Sequence, residues 1–236
     1  MGLHVCPGTV GGRFRAAAGQ TDRVAGGTED VAATSFADPG WTADVLARRS
    51  RAQGTTDRRV LATVWWYSVS SVLLTPSLTG LVSGVPLSGR LADLSVSVAP
   101  GLLPVAAVAA GPGSGDLAAD LRGSLDAVVR AVAEAGDMGD RPLWAIATDS
   151  LANRLLVLGQ AAGDVDRVTG LAVPLAEAVG ASLPVPRYED AGGRRFVRRA
   201  SCCLVDRTAW GATCTSCPAR PPDERRQLLE RLARRG

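Results

Sequence analysis

The stretch VLATVWWYSVSSVLLTPSLTGLVSGVPLSG, residues 60–89, runs for 30 positions without a charge, between Arg59 and Arg90. Its reading decides between a membrane span and a buried core. A span needs about 20 consecutive, mainly apolar residues. Here Ser68, Ser70, Ser71, Thr75, Pro76, Ser77, Thr79, Gly80, Ser83, Gly84, Pro86 and Ser88 interrupt the run, and no such block survives. The stretch reads as a buried helix followed by a loop. Thr55, Thr56 or Asp57 caps the helix, Val60, Leu61, Val64, Trp65 and Tyr67 lead it to about Leu74, and Pro76 ends or kinks it.

Outward from there, residues 94–115 form a second uncharged run of 22 positions, broken by Pro100, Gly101, Pro104 and the tract Gly111-Pro112-Gly113-Ser114-Gly115. It reads as two short strands, 91–98 and 102–109, around a Pro-Gly turn. The glycine tract followed by Asp116 resembles a dinucleotide loop only superficially. Asp116 stands at the third glycine position, Pro112 lacks an amide for phosphate, and no βαβ pattern follows, so it is a turn.

Trp41, Val45 and Leu46 point to a short helix over 41–52. Leu117, Leu121, Leu125, Val128, Val129 and Val132 define an amphipathic helix over 116–135, ended by Gly136. Pro142 suits the first turn of another, with Trp144, Ile146, Leu151, Leu155 and Leu158 on its apolar side. Asp164 or Asp166 caps a further helix to about Val179. Residues 184–199 read as two strands around Gly192-Gly193, and a last helix, capped by Asp223, runs from Pro221 or Pro222 to Ala233. The class is α+β, mostly helical, with a few short strands. The expected organisation is a disordered or loosely packed segment over 1–38, a helical α+β substrate-binding region over 39–183, and a small cysteine-rich lobe over 184–236.

Composition narrows the chemistry. The 236 residues carry 26 basic side chains, all arginine, and a net charge of +3, so the whole chain is no nucleic-acid polycation. Residues 187–236 nevertheless hold 12 arginines against 6 acids. His4 is the one histidine. Ser–His and Cys–His nucleophilic catalysis and most catalytic zinc sites are therefore excluded unless His4 folds back into a site. Residues 1–10 show no secretory pattern, and the reduced thiols expected in a cytosolic protein read as metal ligands or redox groups.

Cys202, Cys203, Cys214 and Cys217 lie within sixteen positions, spaced C-C-x10-C-x2-C. Four thiolates suit an iron–sulfur cluster or a structural zinc ion. The C-x-x-C pair can grip one metal through a tight turn. The adjacent pair is harder to place on one ion, because neighbouring side chains of extended backbone point apart. A two-iron core with a turned backbone tolerates the doublet better, so iron–sulfur is preferred and zinc stays open. Cys6 reads as a free thiol.

The runs Arg198-Arg199-Ala200-Ser201-Cys202-Cys203-Leu204 and Cys214-Thr215-Ser216-Cys217-Pro218 resemble the C-terminal signature of the FhuF-type ferric-siderophore reductases. Upstream, residues 59–63 through Leu74-Thr75-Pro76 and the Leu143-Trp144 pair are similar to the family more diffusely, with Ala145-Ile146 where Gly-Asn is common and Asp206 where an aromatic is common. The resemblance implies a [2Fe–2S] cluster held by Cys202, Cys203, Cys214 and Cys217. It implies one-electron reduction of iron(III) in a hydroxamate-type or related siderophore, in the cytoplasm or at the inner face of the membrane beside a siderophore importer. A ferredoxin or flavoprotein is the expected electron donor. Residues considered for substrate contact are Arg198, Arg199, Trp65 and Trp66. On a strand, Arg194 and Arg198 share one side while Arg195 and Arg199 share the other, so both pairs cannot face the cluster. The alternatives are a non-catalytic iron–sulfur or zinc module acting as sensor or partner, a reactive dithiol, and a helper in siderophore assembly.

Overall fold

The structure is a computed structural model describing residues 27–235 apart from Ala181 and Trp210. His4 and Cys6 lie outside the described residues. In chain order the elements are β1 (Glu29–Ala32), α1 (Pro39–Gln53), α2 (Arg58–Ser83), β2 (Leu94–Ala99), β3 (Leu103–Ala109), α3 (Leu117–Ala135), α4 (Arg141–Ala162), α5 (Val165–Gly170), α6 (Ala172–Val179), β4 (Tyr188–Ala191), β5 (Arg194–Val197) and α7 (Pro222–Ala233). The class is α+β.

Helix α2 is the central strut. Asp57 accepts the Val60 amide at 3.1 Å, so the expected cap holds. Pro76 was expected to end or kink the helix near Leu74, but the helix continues to Ser83. Pro76 has no amide to give the Val72 carbonyl, a defect costing about 3 kcal/mol in an isolated helix. Residues 60–80 are buried almost throughout, and their packing outweighs that defect. Helix α2 lies against α4 and β3. Buried Ser70 and Ser150 share a hydrogen bond of 2.7 Å across the two helices, and Trp66 Nε1 donates to the Leu143 carbonyl at 2.8 Å.

The sheet β1-β2-β3 is antiparallel, with β2 in the middle. The loose segment expected over 1–38 does not extend through its last ten residues. Strand β1 pairs Val31 with Val96, and a 3-10 turn at Ala33–Ala37 buries Phe36 against Trp65, ring centroids 5.6 Å apart. The helix expected from Asp164 to about Val179 is two helices meeting at Leu171. Gly170 ends the first, and Pro174 falls in the first turn of the second, where its missing amide costs nothing. Helix α7 begins as expected, but its cap is Pro221; Asp223 and Glu224 sit in its first turn, facing the positive end of the helix dipole. Strands β4 and β5 form a hairpin whose Gly192 and Gly193 both have positive φ, 57° and 77°, as a two-residue type I′ turn requires.

One close approach ties this body to the cysteine segment. Gly54 ends α1 with φ +63°, and a Cβ there would lie 2.7 Å from the Ala209 Cβ. The Ala209 amide donates to the Gln53 carbonyl at 2.8 Å. Gly54→Ala therefore meets both backbone strain and a clash, and should cost about 1–3 kcal/mol. A thermal melt should show a lower Tm, and an unchanged Tm would mean the loop is not held there.

Candidate metal centre

Asp149, on α4, sets the position of the cysteine segment. Its carboxylate is 3% exposed. Oδ1 accepts the Ala200 amide at 2.7 Å and Oδ2 the Ser201 amide at 3.2 Å. Two backbone donors immediately before Cys202 are thus satisfied by one side chain of the helical body. Oδ2 also lies 3.5 Å from Arg199 Nε. Burial pushes the Asp149 pKa up to about 6, with Arg199 and the two amides pulling the other way.

Beyond Cys203 the chain turns sharply. Leu204 has φ +56°, a left-handed conformation unusual for leucine, and leads into a 3-10 turn at Val205–Arg207. This is the turned backbone that a cysteine doublet needs. It leaves Cys202 half-buried and Cys203 buried. The C-x-x-C segment closes its own turn, the Cys217 amide donating to the Cys214 carbonyl at 3.2 Å. Arg220 braces that turn: Nε donates to the Cys214 carbonyl at 2.9 Å and Nη2 to the Thr213 carbonyl at 2.8 Å, while Nη1 pairs with Glu224.

One sulfur of the doublet meets one of the C-x-x-C directly, and the other two meet a shared arginine. Cys202 Sγ and Cys217 Sγ are 4.0 Å apart. Two thiolates on one tetrahedral metal at about 2.3 Å would be separated by about 3.8 Å. Cys203 Sγ and Cys214 Sγ each lie 3.5 Å from Arg199 Nη1, so they are within twice that distance of each other. Among the described residues, no three His, Cys, Asp or Glu side chains gather as around one ion. Four cysteines brought to one side of the helical body, one S···S approach being of ligand-pair length, are a donor set of the kind a [2Fe–2S] cluster takes. Burial, together with the Cys217 and Cys203 sulfurs, pushes the Cys202 thiol up to about 11, against a counter-pull from the Leu204 amide. Ligation must therefore displace the thiol proton.

Arg199, expected at the substrate, turns its guanidinium to the cysteines. Its side chain is 1% exposed, packed over the Tyr67 ring at 4.8 Å to the centroid and donating to two cysteine sulfurs. Its guanidinium is spent on the sulfurs, the Tyr67 ring and Asp149. Trp65 and Trp66 are likewise 0% exposed, so neither stacks on a bound molecule. Trp65 belongs to the Phe36–Trp41 aromatic cluster. Arg198 alone of these four is exposed, at the rim of a cavity beside Ser216 and Pro218. Arg195 pairs with Asp166 and Asp190, away from the sulfurs.

Four cysteines, three of them buried, joined to an α+β body through one carboxylate and one guanidinium are the donor set of a cysteine-ligated iron–sulfur protein. Residues 199–218 match the family model described as the FhuF 2Fe-2S C-terminal domain, and the match supports a [2Fe–2S] cluster as the cofactor. No curated protein and no solved structure matches the chain. Among the described residues, no helix is long and apolar enough to cross a membrane.

Proposed function

We propose that this chain is a ferric-siderophore reductase, with Cys202, Cys203, Cys214 and Cys217 as the ligands of its cluster. A [2Fe–2S] cluster, when bound, supplies a one-electron couple at this position. The observation that carries the reading is that the FhuF-matched segment brings its cysteines together, Cys202 Sγ beside Cys217 Sγ and the Cys203 and Cys214 sulfurs on one Arg199 nitrogen.

Each residue then has a task. Cys203, Cys214 and Cys217 hold the inner side of the site away from water, and Cys202 presents its sulfur toward the surface. Arg199 brings positive charge and N–H donors to the Cys203 and Cys214 sulfurs, which favours the more negative, reduced state and raises the potential. Asp149 keeps Arg199 and the segment before the doublet in register. The substrate iron(III) gains one electron and becomes iron(II), which hard oxygen chelators hold far less tightly. No bond in the chelator breaks and no proton must move, so no acid or base residue is needed. A reduced ferredoxin or flavoprotein in the cytoplasm provides the next electron.

The test is anaerobic purification followed by iron, sulfide and zinc analysis. The expected protein is reddish-brown, bleaches with dithionite and regains its colour when a ferric siderophore is added. A colourless protein with stoichiometric zinc would sink the reading and leave a structural module.

A further inference from the structure

A cavity of about 330 Å³ opens beside the cysteine loop, lined by Pro184, Val185, Arg187, Arg198, Ser216 and Arg225 among others, and by no carboxylate. Arg225 shares its charge with Glu189 at 3.1 Å. Among the described residues, no carboxylate lies within 4.0 Å of the Arg187 or Arg198 guanidinium. The backbones of these two arginines are joined, the Arg198 amide donating to the Arg187 carbonyl at 2.9 Å. Two guanidinium side chains without counter-charges therefore rise from one rung of backbone at the cavity rim.

An independent feature lies deeper. Ser216, between Cys214 and Cys217, is 5% exposed, and its Oγ has no hydrogen-bond partner among the described residues. A buried hydroxyl is seldom left unmade without a reason. Here it lines a cavity whose other polar side chains are all arginine. Its neighbour in sequence, Cys217, is one of the four cysteines of the metal centre.

We infer that this cavity seats an anionic ferric chelate, one whose oxygen donors or pendant groups leave a net negative charge, such as a catecholate or carboxylate complex, in preference to a neutral trishydroxamate. The inference rests on the reductase reading and sharpens its substrate class. Arg187 and Arg198 attract the anion, and the Ser216 hydroxyl donates to a ligand oxygen one residue from the sulfur of Cys217. The volume is that of a small-molecule site. A concave, hydroxyl-floored cavity favours such a chelate over the flat contact an acidic donor protein would make.

The experiment uses the full-length protein with its cluster and two redox-inert probes, trianionic gallium(III) tris(catecholate) and neutral gallium(III) tris(acetohydroxamate), measured by calorimetry at low and high salt. The trianion should bind at least about ten-fold tighter at low salt, with the preference shrinking as salt is added. Arg198→Ala should reduce that preference about ten-fold and Arg198→Lys by less, since lysine keeps the charge and loses the fork. Arg226→Ala, on the exposed face of α7, removes the same net charge and should leave the preference in place. Equal affinity for both probes overturns the inference, as does an Arg226→Ala loss as large as that of Arg198→Ala. A slowed electron delivery from a donor protein in Arg198→Ala, with the gallium preference intact, also overturns it. Failure of the reductase reading looks different: dithionite-reduced, desalted protein would not be reoxidised by either ferric complex, whatever gallium binding shows.

Discussion

Cys214→Ser abolishes the visible chromophore and the reductase activity together, with far-UV circular dichroism close to that of the parent. Cys214 is buried, its carbonyl closes the C-x-x-C turn, and its sulfur is one of two that accept from Arg199. Serine offers a harder, less acidic oxygen with a shorter bond, poorly matched to a site shaped for thiolate. The Arg199 guanidinium also loses one of its two sulfur acceptors. Iron and acid-labile sulfide should fall to near zero per chain. The helices should survive, because Cys214 lies outside all of them and is one small contributor to a core built on Trp65, Trp66, Leu74, Leu143 and Leu155. Cys202→Ser is the informative companion: this sulfur is half-exposed at the edge of the site, so some residual, more labile chromophore is expected there. Full activity in a colourless Cys214→Ser protein would mean that electrons reach the substrate by another path.

The helical scaffold was legible because its signals are local. Asp57, Asp116 and Asp164 each accept an amide three residues on, and Gly136 closes α3 where the apolar period stops. Glycines with positive φ gave away the β4–β5 hairpin. Strand β1 was not legible. Four residues, Glu29–Ala32, carry no alternation, and their pairing with β2 is made some sixty-five residues away. Pro76 misled because a local penalty was overridden by burial on every side.

The metal centre divides in the same way. The four cysteines announced themselves by spacing, and the doublet's need for turned backbone is met by Leu204. Asp149 could not have been found, since its role is defined by two amides fifty residues downstream. A buried aspartate in an apolar helix was the only trace of it. The strand expected to run to Arg199 ends at Val197, so alternation does not reach Arg198 and Arg199, and Arg199 turned inward to Tyr67 and Asp149. At helical spacing the aromatic pair Trp65-Trp66 reads more readily as core than as a ligand contact, and both side chains are fully buried.

Asp149→Ala should be the most damaging single change outside the cysteines, at about 3–5 kcal/mol of folding stability. The carboxylate is not itself a gain relative to an apolar residue: burial raises its pKa to about 6, so the site disfavours the charge more than Arg199 and the amides favour it. The damage comes from what is left behind. Arg199, 1% exposed, would lose its carboxylate, and the Ala200 and Ser201 amides would lose their acceptor. Urea unfolding should show the midpoint falling steeply, and amide exchange at Ala200 and Ser201 should accelerate beyond what global destabilisation explains. Asp149→Asn, which keeps an acceptor oxygen but not the charge, should fall between. The double variant Asp149→Ala with Arg199→Met removes both charges and should recover part of the loss, because the uncompensated cation is then gone. If the double variant is no more stable than Asp149→Ala alone, the ion pair is not what joins the cysteine segment to α4. The two amide bonds would then be the whole of that joint, and Arg199 would serve the sulfurs alone.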